Sequence, residues 1–305
     1  MTENIEMRPR KILGILAIIA ASVLFGCGYT TGRVARLEGM SESCNSLWIE
    51  LISIVYYLSI CGVRRKNPFR RIEKKQMLLC ITCGAVAVFL SNYMFMVAYS
   101  YLPVAETTML HFLHPTLICI FMCLFFREKI TLARFLAIVC SLAGLILING
   151  TISSGTVVGI VAAILTGVFY AVYPVLIQTT SLGEVESLTV VLYMAFFGAV
   201  SAAIFSWMNG TFMLPLNTTV LLCDIITAVV NSSGYLLTCY AVKIIGATNA
   251  GFGSMLEPIT SCVIAALVLG ETMKINVLYG AIFIVLSIVF SSLGDLLSER
   301  RKVAK

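Results

Sequence analysis

The sequence predicts an all-α membrane protein: ten transmembrane helices arranged as two inverted five-helix repeats. Three observations predict it. Of 305 residues, 59% are hydrophobic and only 12% charged, against roughly 45–50% and about 25% in ordinary globular chains. The apolar residues fall in ten runs separated by short polar linkers. Residues 79–128 also align without a gap on residues 222–271. Ten crossings of about 20 residues each leave no room for a soluble domain beside them.

The first run, 12–32, follows Arg8, Arg10 and Lys11. A basic start before an apolar run is shared by signal peptides, and Leu24-Phe25-Gly26-Cys27 has the look of a lipoprotein cleavage box. The apolar stretch continues past Cys27, so an uncleaved first span is expected. Four more runs lie near 46–63, 77–101, 104–126 and 132–150. The second set lies near 157–178, 187–208, 218–243, 247–269 and 275–293. Each is long enough to cross about 30 Å of hydrocarbon at roughly 1.5 Å per residue, and none alternates as an outer-membrane barrel strand does.

The net charge of +6 does not predict a nucleic-acid partner, because the basic residues cluster in the loops. With the N-terminus inside and loops assigned alternately, all 21 Lys and Arg except Arg33, Arg36 and Lys274 fall on the inner side. That bias predicts an even number of helices and both termini in the cytoplasm. The predicted location is the cytoplasmic membrane.

The repeat has a constant offset. It pairs Leu79 with Leu222, Cys80 with Cys223, Ala98 with Ala241, Pro115 with Pro258 and Glu128 with Glu271. Apolar identities are cheap in this composition. The informative match is a mid-helix proline followed by a helix-end glutamate, present twice. Five spans per copy is an odd number, so the copies (residues 1–150 and 151–305) must be inverted relative to each other. Inverted repeats are the architecture of alternating-access transporters, with substrate near the midplane.

At His114-Pro115 through Arg127-Glu128-Lys129, and at Glu257-Pro258 through Leu269-Gly270-Glu271-Thr272, the chain resembles the drug/metabolite transporter superfamily in its EamA-type ten-helix branch. The second copy matches the family pattern well. The first departs, with Arg127 at a usual glycine and His114 at a position where small or apolar residues are common. Gly144, Gly280 and Leu24-Phe25-Gly26 fit loosely, Phe25 standing where tryptophan is frequent. The resemblance covers nearly the whole chain. It implies a membrane transporter, usually exporting small metabolites, and says little about which substrate.

Other chemistries are poorly encoded. All of the 11 cysteines except Cys44 fall in predicted spans, where free cysteine behaves as a small hydrophobe. Cys80 and Cys83, and Cys119 and Cys123, lack the second pair that a zinc site needs. His111 and His114 are spaced HxxH and not HExxH. Met255 follows Gly253-Ser254 where a rhomboid-like protease has glycine, and no Walker A sequence is present. No enzyme activity, metal or cofactor is expected.

Ionisable groups at membrane depth are the best site signal, because a central charged side chain costs roughly 2.5–3.5 kcal/mol on insertion scales. His114 lies about 16 Å along its helix from Pro103, and Glu257 about 15 Å from Ala247. Both distances reach the midplane, and the two residues are equivalent in the repeat. Helical spacing groups other polar residues into stripes: Thr107 with His111 and His114; Ser254 with Glu257 and Ser261; Thr166 with Tyr170 and Tyr173; Asn231 with Tyr235 and Thr238; Ser46 with Glu50, Ser53 and Tyr57. Asn92, Tyr93 and Tyr99 join them. The expected cavity lining is therefore His111, His114, Glu257, Ser254, Tyr170, Tyr173, Asn231, Tyr235, Glu50, Asn92, Tyr93 and Tyr99, with His114 and Glu257 as proton-coupling candidates.

A structural role for Glu257 and plain facilitated diffusion stay open beside proton coupling. Glu128 and Glu271 close helices and are expected to be structural. The lining suits an exported zwitterion or cation, such as an amino-acid-like metabolite. An exchanger of phosphorylated metabolites or nucleotide sugars needs midplane Lys or Arg, which the spans do not offer. A non-transporting receptor or scaffold is the alternative from another class. The expected partners are the bilayer and a small-molecule substrate, with a second copy of the chain as a homodimer a further candidate.

Overall fold

The computed structural model describes residues 2–37, 39–65, 67, 72–102, 104–126, 128, 130–149, 156–214, 217–269 and 275–303, and among these it is helical with no strand. Side chains of Arg33 and Arg36, and all of Lys274, Gly270 and Glu271, lie outside the described set. Helix α1 (Thr2–Leu37) and α2 (Glu42–Val63) take the first two apolar runs. The third folds as α3 (Lys74–Thr82), a π-helical stretch (Cys83–Leu90) and α4 (Ser91–Tyr99). The fourth is divided into α5 (Val104–His111) and α6 (His114–Phe126), followed by α7 (Leu132–Asn149).

The second half begins with α8 (Val157–Thr179), α9 (Ser187–Met208) and α10 (Thr218–Ile245). It ends with α11 (Ala247–Ser254), α12 (Leu256–Leu269) and α13 (Ile275–Val303). Eight helical stretches of the described chain are long and apolar enough to cross a membrane. Leu132–Ile148 is a shorter apolar helix, and α11 and α12 are separate shorter pieces.

The two broken runs have a common cause. Proline has no N–H, and its ring crowds the carbonyl four residues back. Pro115 therefore frees the His111 carbonyl, and Pro258 frees that of Ser254. The chain tightens just before each proline: Leu113 N–H donates to Leu110 O at 3.2 Å, and Met255 N–H to Phe252 O at 3.2 Å. Such three-residue bonds mark a local 3₁₀ turn. Phe112 and Met255, at the two breaks, are equivalent positions of the sequence repeat. Pro174, by contrast, stays inside α8.

Close packing uses small residues, as membrane helix contacts do. Where α7 crosses α13, a Cβ on Gly144 would sit 2.9 Å from Gly280 O, and one on Gly280 would sit 2.7 Å from Gly144 O. α1 packs along α10 and against α12; α2 packs on α9; α4 and the π-helical stretch pack on α8. The polarity is inverted relative to a soluble fold. Leu124, Phe125, Leu132 and Trp207 are exposed, whereas Ser22, Glu50, His111, His114, Thr166 and Glu257 are buried. A polar interior with an apolar outside is what a bilayer demands, since lipid supplies no hydrogen bonds.

Candidate functional site

A cavity of about 150 Å³ lies among the helices, lined by α1, α2, the π-helical stretch, α4, α5, α8, α9, α10 and α12. Eight of the twelve expected residues line it. His111 comes from α5, Glu257 from α12, Tyr170 from α8, and Glu50 from α2. Asn231 and Tyr235 come from α10, and Asn92 and Tyr99 from α4.

The other four stand elsewhere. His114 and Ser254 line a second, smaller cavity of about 10 Å³ with Tyr170 and Pro174. Tyr170 borders both cavities. Tyr173 is fully buried one turn further along α8, and its hydroxyl donates to Tyr235 O at 2.8 Å. Tyr93 packs edge-on against Phe205 at 4.4 Å and stacks near Phe89, away from the cavity. Asn92, Phe95 and Tyr99 recur at helical spacing on one face of α4, and Tyr93 is one residue off it.

The histidines are held by local bonds. His111 Nδ1 lies 3.0 Å from Thr166 Oγ1, whose hydroxyl donates to Ala163 O at 2.7 Å. The Thr166 oxygen therefore accepts from His111 Nδ1–H. His114 Nδ1 lies 3.2 Å from the freed carbonyl of His111 and must donate to it, since a carbonyl only accepts. Its Nε2 lies 3.0 Å from Ser254 Oγ. The two imidazoles are 5.1 Å apart, and Tyr170 packs on both, at 5.5 Å from His111 and 4.6 Å from His114.

Residues that sequence spacing missed complete the lining. Phe25 of α1 meets Tyr235 edge-on at 5.1 Å, and Phe95 lies 4.7 Å from His111. Asn45, Ser91, Thr227 and Ser232 add polar groups, and Val191, Met194 and Ala195 of α9 add an apolar wall. Thr227 and Asn231 are one turn apart, a legible signal. The apolar wall had none, because Val and Met in a span read as lipid-facing or core alike. Asn45 Oδ1, Ser46 Oγ and Ser232 Oγ are buried without a hydrogen-bond partner among the described residues.

Away from the cavity, Arg134 donates to Glu128 Oε2 at 2.6 Å, and Gln178 Nε2 donates to Glu128 Oε1 at 3.2 Å. The Gln178 amide oxygen accepts from Ala247 N–H at the start of α11. Glu128 thereby ties α7, α8 and, through Gln178, α11 together. The cysteines are free thiols, several packed in the core with apolar neighbours. Among the described residues no group of three or more His, Cys, Asp and Glu is placed to hold a metal.

An all-helical, multi-pass integral membrane fold around a polar internal cavity defines a membrane transporter class. The sequence profile of the EamA-like transporter family matches residues 12–150 and again 157–293, and the chain belongs to that family. An uncharacterized transporter of Clostridium kluyveri is 22% identical over 308 residues, covering 95% of this chain and 97% of that protein. The uncharacterized inner membrane transporter YicL of Salmonella typhimurium is 23% identical over 297 residues, covering 92% and 96%. A solved crystal structure superposes with a TM-score of 0.75 at 17% identity, covering 93% of this chain and 98% of that one.

Proposed function

We propose that the chain is a ten-span secondary transporter built of two inverted five-helix repeats, residues 1–150 and 151–305, with both termini cytoplasmic. It exports small polar or amphipathic, amino-acid-like metabolites across the cytoplasmic membrane by rocking one half against the other. One observation carries this: a polar cavity among apolar helices, to which both halves contribute side chains, Glu50, Asn92 and His111 from the first and Tyr170, Asn231 and Glu257 from the second.

The packing supports the repeat. Exchange of the first five spans for the second five leaves the most extensive contacts unchanged in kind. α1 on α10 corresponds to α8 on α4 and the π-helical stretch, and α1 on α11 and α12 corresponds to α8 on α5 and α6. α2 with α9, and α7 with α13, map onto themselves. The equivalent helix breaks and the twofold match of the family profile point the same way. In the proposed orientation the lining stretch of α4 and most of that of α2 belong to their outer halves and that of α10 to its middle, so the cavity reaches from the midplane toward the outside.

The lining residues include no Lys or Arg among those described, which argues against phosphorylated cargo. The test is flux in proteoliposomes across a panel of radiolabelled amino acids, amines and sugar phosphates. Saturable, protein-dependent exchange of an amine or amino acid supports the function, and a panel without any protein-dependent flux overturns it in favour of a receptor or scaffold.

A further inference from the structure

Two carboxylates enter the cavity from different helices and different halves of the chain. Glu50 is 8% exposed and Glu257 2% exposed, and Tyr235 stands within electrostatic reach of both. Among the described residues Glu50 has no hydrogen bond or ion pair, and no described Lys or Arg lines the cavity there. Unpaired charge at membrane depth is costly, and such groups pair with one another or with a ligand.

Two further observations point to a cation as that ligand. Asn45 Oδ1, a pure acceptor, lines the cavity buried and without a partner among the described residues. Aromatic side chains also ring the space: Phe25, Tyr57, Phe95, Tyr99, Tyr170 and Tyr235. Aromatic faces attract an ammonium through the ring quadrupole. Acceptors, carboxylates and ring faces complement a positive charge and repel a carboxylate.

Resting on the cavity being the substrate site, we infer that it selects an organic amine in its ammonium form, clamped between Glu50 and Glu257, and that a carboxylate on the same molecule weakens binding. The cargo is thus a small amine of the decarboxylated kind more than an amino acid. A cavity of about 150 Å³ matches a ligand on the scale of one aromatic ring with a short tail, since an apolar cavity of about that volume admits benzene.

The experiment measures binding to the purified full-length protein by isothermal titration calorimetry with a matched set: phenethylamine, phenylalanine, 2-phenylethanol and 3-phenylpropionate. Expected is phenethylamine tightest, at least about tenfold over the alcohol and over phenylalanine, with no binding of the propionate. Such a factor corresponds to about 1.4 kcal/mol. Glu50→Gln and Glu257→Gln each weaken the amine by about tenfold and leave the alcohol within twofold, which also reports that the variants are folded. Should one variant fail to fold, the other carries the test.

Equal or tighter binding of phenylalanine, unchanged amine affinity in the folded variants, or no amine binding overturns the inference. The same compounds are then followed as flux in proteoliposomes. Selective amine binding without flux overturns the transporter function and leaves the ammonium site standing. Flux of the zwitterion or anion with no preference for the amine does the reverse.

Discussion

His114 Nε2 of α6 lies 3.0 Å from Ser254 Oγ of α11, so the two proline-broken helices meet through a direct side-chain bond. His114 Nδ1–H is committed to the His111 carbonyl, which leaves Nε2 facing the serine hydroxyl. That hydroxyl also lies 2.7 Å from Gly251 O. Membrane-interior hydrogen bonds of this kind average about 0.6 kcal/mol, with a maximum near 1.7. A double-mutant cycle of His114→Ala and Ser254→Ala, read by unfolding of the purified protein, should return a coupling of about that size. Strict additivity would mean that the two breaks are not joined at this point.

Gly28 of α1 exists in step with Asn231 of α10. A Cβ at residue 28 would fall 2.2 Å from Asn231 Oδ1, inside any tolerable contact, so Gly28→Ala must displace the amide from the cavity wall. We expect Gly28→Ala, Asn231→Ala and Tyr170→Ala each to lower transport by about tenfold, the worth of roughly one hydrogen bond to a buried ligand. Expression and monodispersity should stay near wild type. Normal flux in all three would remove these side chains from the substrate path.

Orientation is checked by chemistry at described, exposed loops. In a Cys-depleted background, Asn209→Cys should react with an impermeant maleimide added outside intact cells, whereas Glu184→Cys should react only after permeabilisation. The expectation comes from the distribution of Lys and Arg. Reversed labelling would invert the assignment of both termini.

Coupling is tested at Glu257. Chains of Glu and His at membrane depth often serve as proton relays, and here Glu257 and His111 line one cavity while His114 lies behind Tyr170. Glu257→Gln keeps the shape and removes the ionisable group. At saturating substrate the variant should still exchange substrate across the membrane and should fail to accumulate it against a gradient under an imposed pH difference. Accumulation equal to wild type would assign Glu257 no part in proton coupling.

The sequence by itself determined the helical, multi-pass membrane class, the family, and most of the polar lining. Each is written in one dimension: apolar run length against bilayer thickness, a repeated proline and glutamate, and polar residues at helical spacing that lipid does not tolerate. Glu50, Asn92, Tyr170, Asn231 and Glu257 were legible on those grounds. What only the tertiary structure decided is which polar faces look into the same space. A stripe must face protein or water, yet its spacing does not say which neighbour it meets. Tyr173 and Ser254 share faces with Tyr170 and Glu257 by spacing, but Tyr173 is bonded to Tyr235 O and Ser254 to His114. The break at Phe112–Leu113 further separates His111 from His114, leaving one in each cavity. Phe95 and Met194 carried no mark at all, because an apolar residue in a span looks the same whether it touches lipid, core or ligand until the helices are packed.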